Sequence, residues 1–519
     1  MSAAAQGQQA STPAPLGGVA LGAASIALAL GTFMQVLDTT IANVSLTTIA
    51  GNLGVSSDSS TWVITAFAVA NGVTVPLTGW LMGRFGVVRT FVASVILFTI
   101  ASLLCGLAWS LPSLIAFRIL QGAVSGPMIP GSQALLLAIF PTEKRATALG
   151  VWSMTTLIAP IAGPILGGYI SDNYHWGWIF LINVPVGLAS AFVAWRFMKS
   201  RETATRKLPI DTVGLGLLAF WVGCLQVFLD LGKNDDWFHS SFITTMALLS
   251  AIGFVAWLIW ELTEERPAVD LKLFANRNFA LGTIALTLGY AVFFGNTLLL
   301  PLWLQRELGY TATWAGLVTA PSGIVSVLAT PIVARLSGKV DARWLASFAF
   351  VAFAGSYGMR SGYTIQADYW AFTLPLLVQG LAMSTFFVAM LTISLDGIPP
   401  EKTPSATGIS NFARITGGSF AASLVTTLWD RREALHQSRL ADSSSPFDPV
   451  FQQATHSLGQ LAAGANQGYA MLTREMAGQA YLLASIDIFR ISAWAMLAMV
   501  ALVWFARRPK QLDGPVAAD

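Results

Sequence analysis

The chain is predicted to be an all-α, polytopic membrane protein with fourteen membrane-spanning helices, on three observations. Its mean hydropathy is +0.64, and 11% of its 519 residues are charged against 55% hydrophobic; soluble domains carry about 25% charged residues. The apolar residues gather into runs long enough to cross a hydrocarbon core of about 30 Å at about 1.5 Å rise per residue. Lys and Arg gather in alternate loops between those runs, the pattern of the positive-inside rule.

The spans are expected at 16–40, 62–82, 88–108, 112–138, 147–170, 178–197, 213–231, 241–260, 279–303, 313–335, 343–362, 369–395, 406–428 and 486–506. Residues 1–15 read as a disordered tail, small, polar and Pro-containing. The first span lacks a basic start and a cleavage site followed by polar sequence, so it is expected to be a retained helix, not a signal peptide. Residues 16–198 are expected to form an N-terminal six-helix bundle. Residues 199–278 supply a basic linker and an inserted central helix pair. Residues 279–506 are expected to form a C-terminal six-helix bundle that includes a long extracytoplasmic loop at 430–485. A short basic tail, 507–519, closes the chain. In the long loop, Leu458, Leu461, Met471, Leu472, Met476 and Leu482 fall at helical spacing. Such a face suits either an external partner or the protein's own bundle.

Arg84, Arg89, Lys144, Arg145, the cluster at 196–207, Arg266, Lys272, Arg277, Arg335, Lys339, Arg343, Lys402, Arg507, Arg508 and Lys510 fall on one side. The intervening short loops carry little beyond Lys233, Arg306 and Arg360. Both termini are therefore expected in the cytoplasm. The net charge of +3 reflects this topology and does not point to nucleic acid. Cys105 and Cys224 lie within spans, so no structural disulfide is expected. His175, His239, His436 and His456 fall in external loops, so neither a metal nor a cofactor is expected in the bundle. A GxxxxGK[ST] phosphate loop, a Ser/His/Asp set and an HExxH motif are absent, which disfavours ATP-driven pumping and enzymatic catalysis. The energy source is then an ion gradient, or nothing.

Asp38 stands beside 16–36, which carries no charge. A carboxylate there costs about 2.5–3.5 kcal/mol on insertion scales, so it is a candidate proton carrier; the alternative is a helix-end cap. Arg118 lies about 9 Å of helix beyond Pro112 and either snorkels outward or faces Asp38 as the proton-coupling partner. Gln121 follows at i+3 on the same face. Gly79, Arg84, Gly86 and Arg89 form a tight turn after the second span, a candidate gating latch or a set of cytoplasmic anchors. Gly163, Pro164, Gly167 and Gly168, with Pro160, predict a bent helix with a flat glycine face for a gate, or for tight packing. Gln35, Asn43, Asn296, Gln379, Asn411 and Arg414 are candidate cavity liners, or interhelical glue. Phe33, Phe67, Phe293, Phe294, Phe386 and Phe387 are candidates for an apolar substrate wall, or face lipid or the core. A weak echo between 76–86 and 331–339 suggests two related halves, the common plan of secondary transporters.

These residues together resemble the major facilitator superfamily, and within it the fourteen-helix drug:proton antiporters of the EmrB-type multidrug efflux group. Residues 33–44 resemble the first-helix signature, 118–122 the proton-coupling motif, and 163–168 the antiporter motif. Residues 175–185, 309–317 and 411–418 carry the likeness over nearly the whole chain. In one departure, Gly83 stands where the superfamily's turn motif has an acid, which puts the charge-relay version of that latch in doubt. The resemblance implies a major facilitator fold and alternating access. It implies proton-coupled export of hydrophobic toxic compounds from the cytoplasm. It further implies a bacterial inner-membrane location, with a periplasmic adaptor protein and an outer-membrane channel as partners. The alternative is a dedicated exporter of a single metabolite, lipid or siderophore.

Overall fold

The computed structural model describes residues 16–141, 144–205, 209, 211–364, 366–442, 447, 449–461 and 465–509. The tails 1–15 and 510–519 and parts of the 199–210 and 430–485 segments lie outside the described residues. The first half comprises α1 (Gly18–Leu53), α2 (Ser57–Ser60), α3 (Trp62–Thr74), α4 (Thr78–Phe85), α5 (Val87–Gly106), α6 (Leu111–Ser125), α7 (Met128–Ile139), α8 (Arg145–Asn173), α9 (Trp178–Leu181) and α10 (Asn183–Met198). Two connecting helices follow, α11 (Thr212–Leu231) and α12 (Ser241–Thr263). The second half comprises α13 (Arg277–Arg306), α14 (Ala312–Ser337), α15 (Ala342–Arg360), α16 (Tyr369–Ser394), α17 (Thr403–Asp442), α18 (Pro449–Leu461) and α19 (Ala465–Trp504). The described residues contain no β-strand.

Among the described residues, ten helical segments are long and apolar enough to cross a membrane, or eleven if α3 and α4 form one bent span. The helices α15 and α17 are 19 and 40 residues long and lack apolar content rather than length. They carry the buried residues Arg360, Asn411 and Arg414, which a helix screened from lipid by its neighbours tolerates. The architecture is compatible with the fourteen predicted spans.

Proline shapes the bends. Between α3 and α4 the chain turns by 59° across a break that contains Pro76, where an N–H is missing from the helical ladder. Pro127 separates α6 from α7 in the same way. The fifth span is one helix: α8 runs without a break from Arg145 to Asn173, while the side chains of Pro160 and Pro164 lie outside the described residues.

In the first half α1 packs on α8 and α10, α3 on α6, and α5 on α6 and α10; in the second, α13 packs on α17, α14 on α16, and α15 on α16 and α19. The inserted pair seals one seam between the halves. Trp221 of α11 stacks edge-on against Phe254 of α12 at 5.1 Å and Phe412 of α17 at 5.9 Å. The Ser423 hydroxyl of α17 donates to the Leu229 carbonyl at 2.8 Å.

The expected loop at 430–485 is largely helical: α17 continues to Asp442, and α19 begins at Ala465. It packs on its own bundle. His436 meets Asp487 at 2.9 Å, and Trp429 Nε1 donates to Ser485 at 2.9 Å. Leu482 is buried there, whereas Met471 is exposed; the side chains of Leu458 and Leu461 lie outside the described residues.

Candidate functional site

The site sits near the end of the bundle opposite the basic loops. A reciprocal cap fixes the start of α6: the Ser113 amide donates to the Ser110 hydroxyl at 3.4 Å, and the Ser110 amide to the Ser113 hydroxyl at 3.1 Å. That sets the helical phase that points Arg118 and Gln121 inward together. Arg118 Nη1 donates to Asp38 Oδ2 at 2.5 Å and to Gln121 Oε1 at 2.7 Å, while its Nε donates to the Val63 carbonyl at 3.0 Å. Its guanidinium also lies 4.3 Å from the Phe67 ring and 5.5 Å from that of Phe180, both within cation–π range.

The other carboxylate oxygen is held just as fully. Gln121 Nε2 and Asn183 Nδ2 each donate to Asp38 Oδ1 at 3.0 Å. Gln121 Nε2 also reaches the Ser102 hydroxyl at 2.7 Å. Asp38, Arg118, Gln121 and Ser102 are all 0% exposed. Five helices, α1, α3, α5, α6 and α10, thus converge on one ion pair. The expectation that Asp38 and Arg118 meet inside the protein matches this geometry. In this conformation the pair is sealed from solvent.

The glycine face of α8 lies one helical turn from this pair. A Cβ at Gly163 would overlap the Thr40 side chain, and one at Gly167 would stand 2.9 Å from Ile41 Cγ1. Only a hydrogen in place of a side chain admits α1 this close. Gly168 is buried on the same helix. On its other face α8 meets the second half along its length. A Cβ at Gly150 would come within 2.9 Å of Thr330 on α14, and one at Gly316 within 2.8 Å of Ile165. One helix therefore touches both the Asp38 segment and the opposite bundle.

At the basic end the halves are tied directly. Asn411 Nδ2 of α17 donates to Gln133 Oε1 of α7 at 2.9 Å, and the Thr407 hydroxyl donates to the Pro130 carbonyl at 3.2 Å. Gly79 on α4 lies against Ser405, leaving no room for a Cβ. Gly86, at φ +96°, turns the chain into α5 in a conformation other residues avoid. There the Val88 and Arg89 amides donate to Glu202 at 3.0 and 2.9 Å. The acid missing at Gly83 is thus replaced at this turn by one from the 199–210 linker. Arg89 lies 3.8 Å from the same carboxylate, and Arg84 stacks 5.7 Å over Trp80.

The remaining predicted liners divide. Arg414 faces the seam: it donates to Asn411 Oδ1 at 3.0 Å and lies 4.6 Å from the Tyr290 ring and 6.0 Å from that of Trp152. Gln35 is buried with Oε1 unpartnered, and Asn43 is exposed. Asn296 bonds Ser492 at 2.8 Å within the second bundle, and Gln379 accepts from Arg360, so both tie helices together. Phe293 and Phe386 are corrected from wall to core, since both pack on Phe353 at 5.8 Å. The aromatic ring that crosses the seam is Phe387, 6.4 Å from Trp152. Sequence reasoning missed Asn183, Ser102 and Gln133 as site residues.

A family model described as Major Facilitator Superfamily matches residues 28–422. The chain belongs to the major facilitator superfamily. Among relatives in the superfamily, it is 46% identical to the Multidrug export protein EmrB of Haemophilus influenzae, over 95% of this chain and 97% of that one. It is 47% identical to the protein of the same name from Escherichia coli K12, with the same coverage. It is 44% identical to the Fatty acid resistance protein FarB of Neisseria gonorrhoeae, over 96% and 99% of the two chains. Solved superfamily structures share the fold. The proton:xylose symporter XylE matches with a TM-score of 0.55 at 14% identity, over 91% of this chain and 96% of that one. A bacterial Spinster homologue matches with a TM-score of 0.53 at 15% identity, over 95% and 100%.

Proposed function

We propose that this chain is a proton-coupled multidrug exporter that moves hydrophobic toxic compounds out of the cytoplasm by alternating access. The observation that carries the reading is the sealed Asp38–Arg118 pair, with no other cation paired to the carboxylate among the described residues, in a chain 46% identical to a multidrug export protein. Asp38 is the proton carrier. Neutralising it by protonation removes the charge that Arg118, Gln121 and Asn183 hold, and frees α1 to move against α8. Arg118 and arriving substrate then favour release of the proton on the other side.

The positive-inside rule supports placing the basic loops and both termini in the cytoplasm of an inner membrane. On that orientation the Asn411–Gln133 and Thr407–Pro130 bonds hold the cytoplasmic end closed. Drug contacts fall to Arg414, Asn411, Tyr290, Trp152 and Phe387 along the seam, with Gln35 and Asn43 on α1. The α17–α19 extension, with Phe447 89% and Tyr469 50% exposed, faces the periplasm as the contact for an adaptor protein that leads to an outer-membrane channel. One proton entering down 100 mV supplies about 2.3 kcal/mol, and each pH unit adds about 1.4 kcal/mol. One or two protons per cycle sustain a useful drug gradient.

The test is a susceptibility panel in a pump-deleted host. Wild type is expected to raise resistance to several chemically unrelated hydrophobic compounds, and Asp38→Asn to none. Resistance unchanged by Asp38→Asn removes the reading. A second reading, a dedicated exporter of one metabolite or lipid, is favoured by Arg414, a buried cation facing the seam without a carboxylate partner among the described residues. Competition in which one lipophilic anion displaces all other substrates would establish it.

A further inference from the structure

Arg360 is a third buried guanidinium beside Arg118 and Arg414, and the transport cycle makes no use of it. It is 1% exposed at the end of α15, one turn beyond Tyr357 at 0%. Helical side chains lean towards their helix N-terminus, which here directs Arg360 into the bundle and away from the surface. Its Nη2 donates to Gln379 Oε1 on α16, and its Cζ lies 5.7 Å from the Phe489 ring of α19. No carboxylate among the described residues pairs with it.

The two halves differ at this layer in one respect. Gln379 is the eleventh residue of α16, as Gln121 is the eleventh of α6. In the first half every bonded nitrogen of Arg118 ends on an oxygen, and one of those oxygens carries a full negative charge. In the second half several donors at this layer lack an acceptor. Arg360 Nε and the Tyr357 hydroxyl are buried with no partner, and Gln379 Nε2 faces only the Met383 sulfur at 3.9 Å. Asn296, an amide, stands deep in α13 much as Asp38 stands in α1. A buried cation is retained when a counter-charge accepts its hydrogen bonds.

We propose that the C-terminal bundle binds a small inorganic monovalent anion, a halide, against Arg360, Tyr357 and Gln379. The anion supplies there the charge that Asp38 supplies in the first half. A halide has no directional lone pairs, so it accepts at once from diverging N–H and O–H donors carried by α15 and α16. Chloride is the halide at hand in a cell. The site belongs to the bundle's structure and stands or falls independently of the export reading.

The test is thermal unfolding of the purified full-length chain in detergent, titrated with sodium chloride, bromide, acetate or gluconate at matched ionic strength. Chloride and bromide are expected to raise Tm by several degrees in a saturable manner, as a ligand of the folded state does. Arg360→Gln abolishes that rise. Tyr357→Phe moves the chloride midpoint up by about tenfold, the loss of one hydrogen bond to a charge, and it carries the test alone if Arg360→Gln does not fold. Three results overturn the proposal. They are an equal rise in gluconate (ionic strength alone), no rise in any salt (water fills the donors), and a rise in acetate with the halides inert (a carboxylate site).

Discussion

Arg118 and Gln121, one helical turn apart on α6, grip Asp38 from two sides: Nη1 holds one carboxylate oxygen at 2.5 Å and Nε2 the other at 3.0 Å. Gln121 also accepts from Arg118 at 2.7 Å, so the amide is oriented by the same cation that it helps to satisfy. The carboxylate is thereby presented as a charge with a fixed set of donors. A change in its protonation alters bonds to α6 and α10 together.

Asn183 is the least obvious of those donors. Replacing it with Leu leaves Asp38 Oδ1 with one donor and removes a bond to a charged group, a loss of about 1.5–3 kcal/mol. The expected outcome is a folded protein with reduced proton-driven transport, measured as drug efflux against an imposed pH gradient. Asn183→Asp is expected to be worse, since it places a second carboxylate against the first.

Gly167→Val is expected to stop transport. The new side chain meets Ile41, already 2.9 Å from a Cβ, and overpacking of this kind costs about 1–3 kcal/mol. Thermal unfolding is expected to show the loss of stability. A transport assay at permissive temperature separates it from the block on α1 moving past α8.

The cytoplasmic tie is testable by a double-mutant cycle. Gln133→Ala and Asn411→Ala each remove the 2.9 Å bond between the halves, at about 0.5–1.5 kcal/mol. Asn411→Ala also strips Arg414 of its acceptor, so the double variant should cost little more than Asn411→Ala alone. Spin-label distances across the basic end are expected to lengthen in all three variants, as the population shifts towards a state open on that side. Unchanged distances would show that the bond does not hold the halves.

Stability below neutral pH is expected to depend on Asp341, which caps α15 outside the membrane. Burial pushes its carboxyl up, but hydrogen bonds from Arg343 and the charges of Arg343 and Arg508 outweigh that and hold it below the usual carboxylate range. A depressed carboxyl contributes stability at pH values above its unfolded pKa. That contribution is lost as pH falls through the lower folded value. Asp341→Asn should therefore lower Tm at pH 7 and make no difference at strongly acid pH.

Much of this was legible because a membrane makes polar residues conspicuous. Asp38, Arg118 and Gln121 stand out from apolar runs, and i, i+3 spacing puts the last two on one face. The glycines of α8 are similarly plain. Asn183 and Gln133 were not, because each is one neutral amide, and nothing in its own helix says which neighbour it faces. Phe386 and Phe387 show the same limit: adjacent residues point about 100° apart on a helix, and only packing decides which one meets Trp152. The helical extension of α17 beyond residue 428 escaped because its polar residues mark the end of a span, not the end of a helix.

The most direct measurement of the central claim is substrate transport into proteoliposomes under an imposed pH gradient, comparing wild type with Asp38→Asn. Accumulation that follows the gradient in wild type and is lost in the variant, with substrate binding retained, is the predicted result. Gradient-driven accumulation at the wild-type level by Asp38→Asn would contradict it.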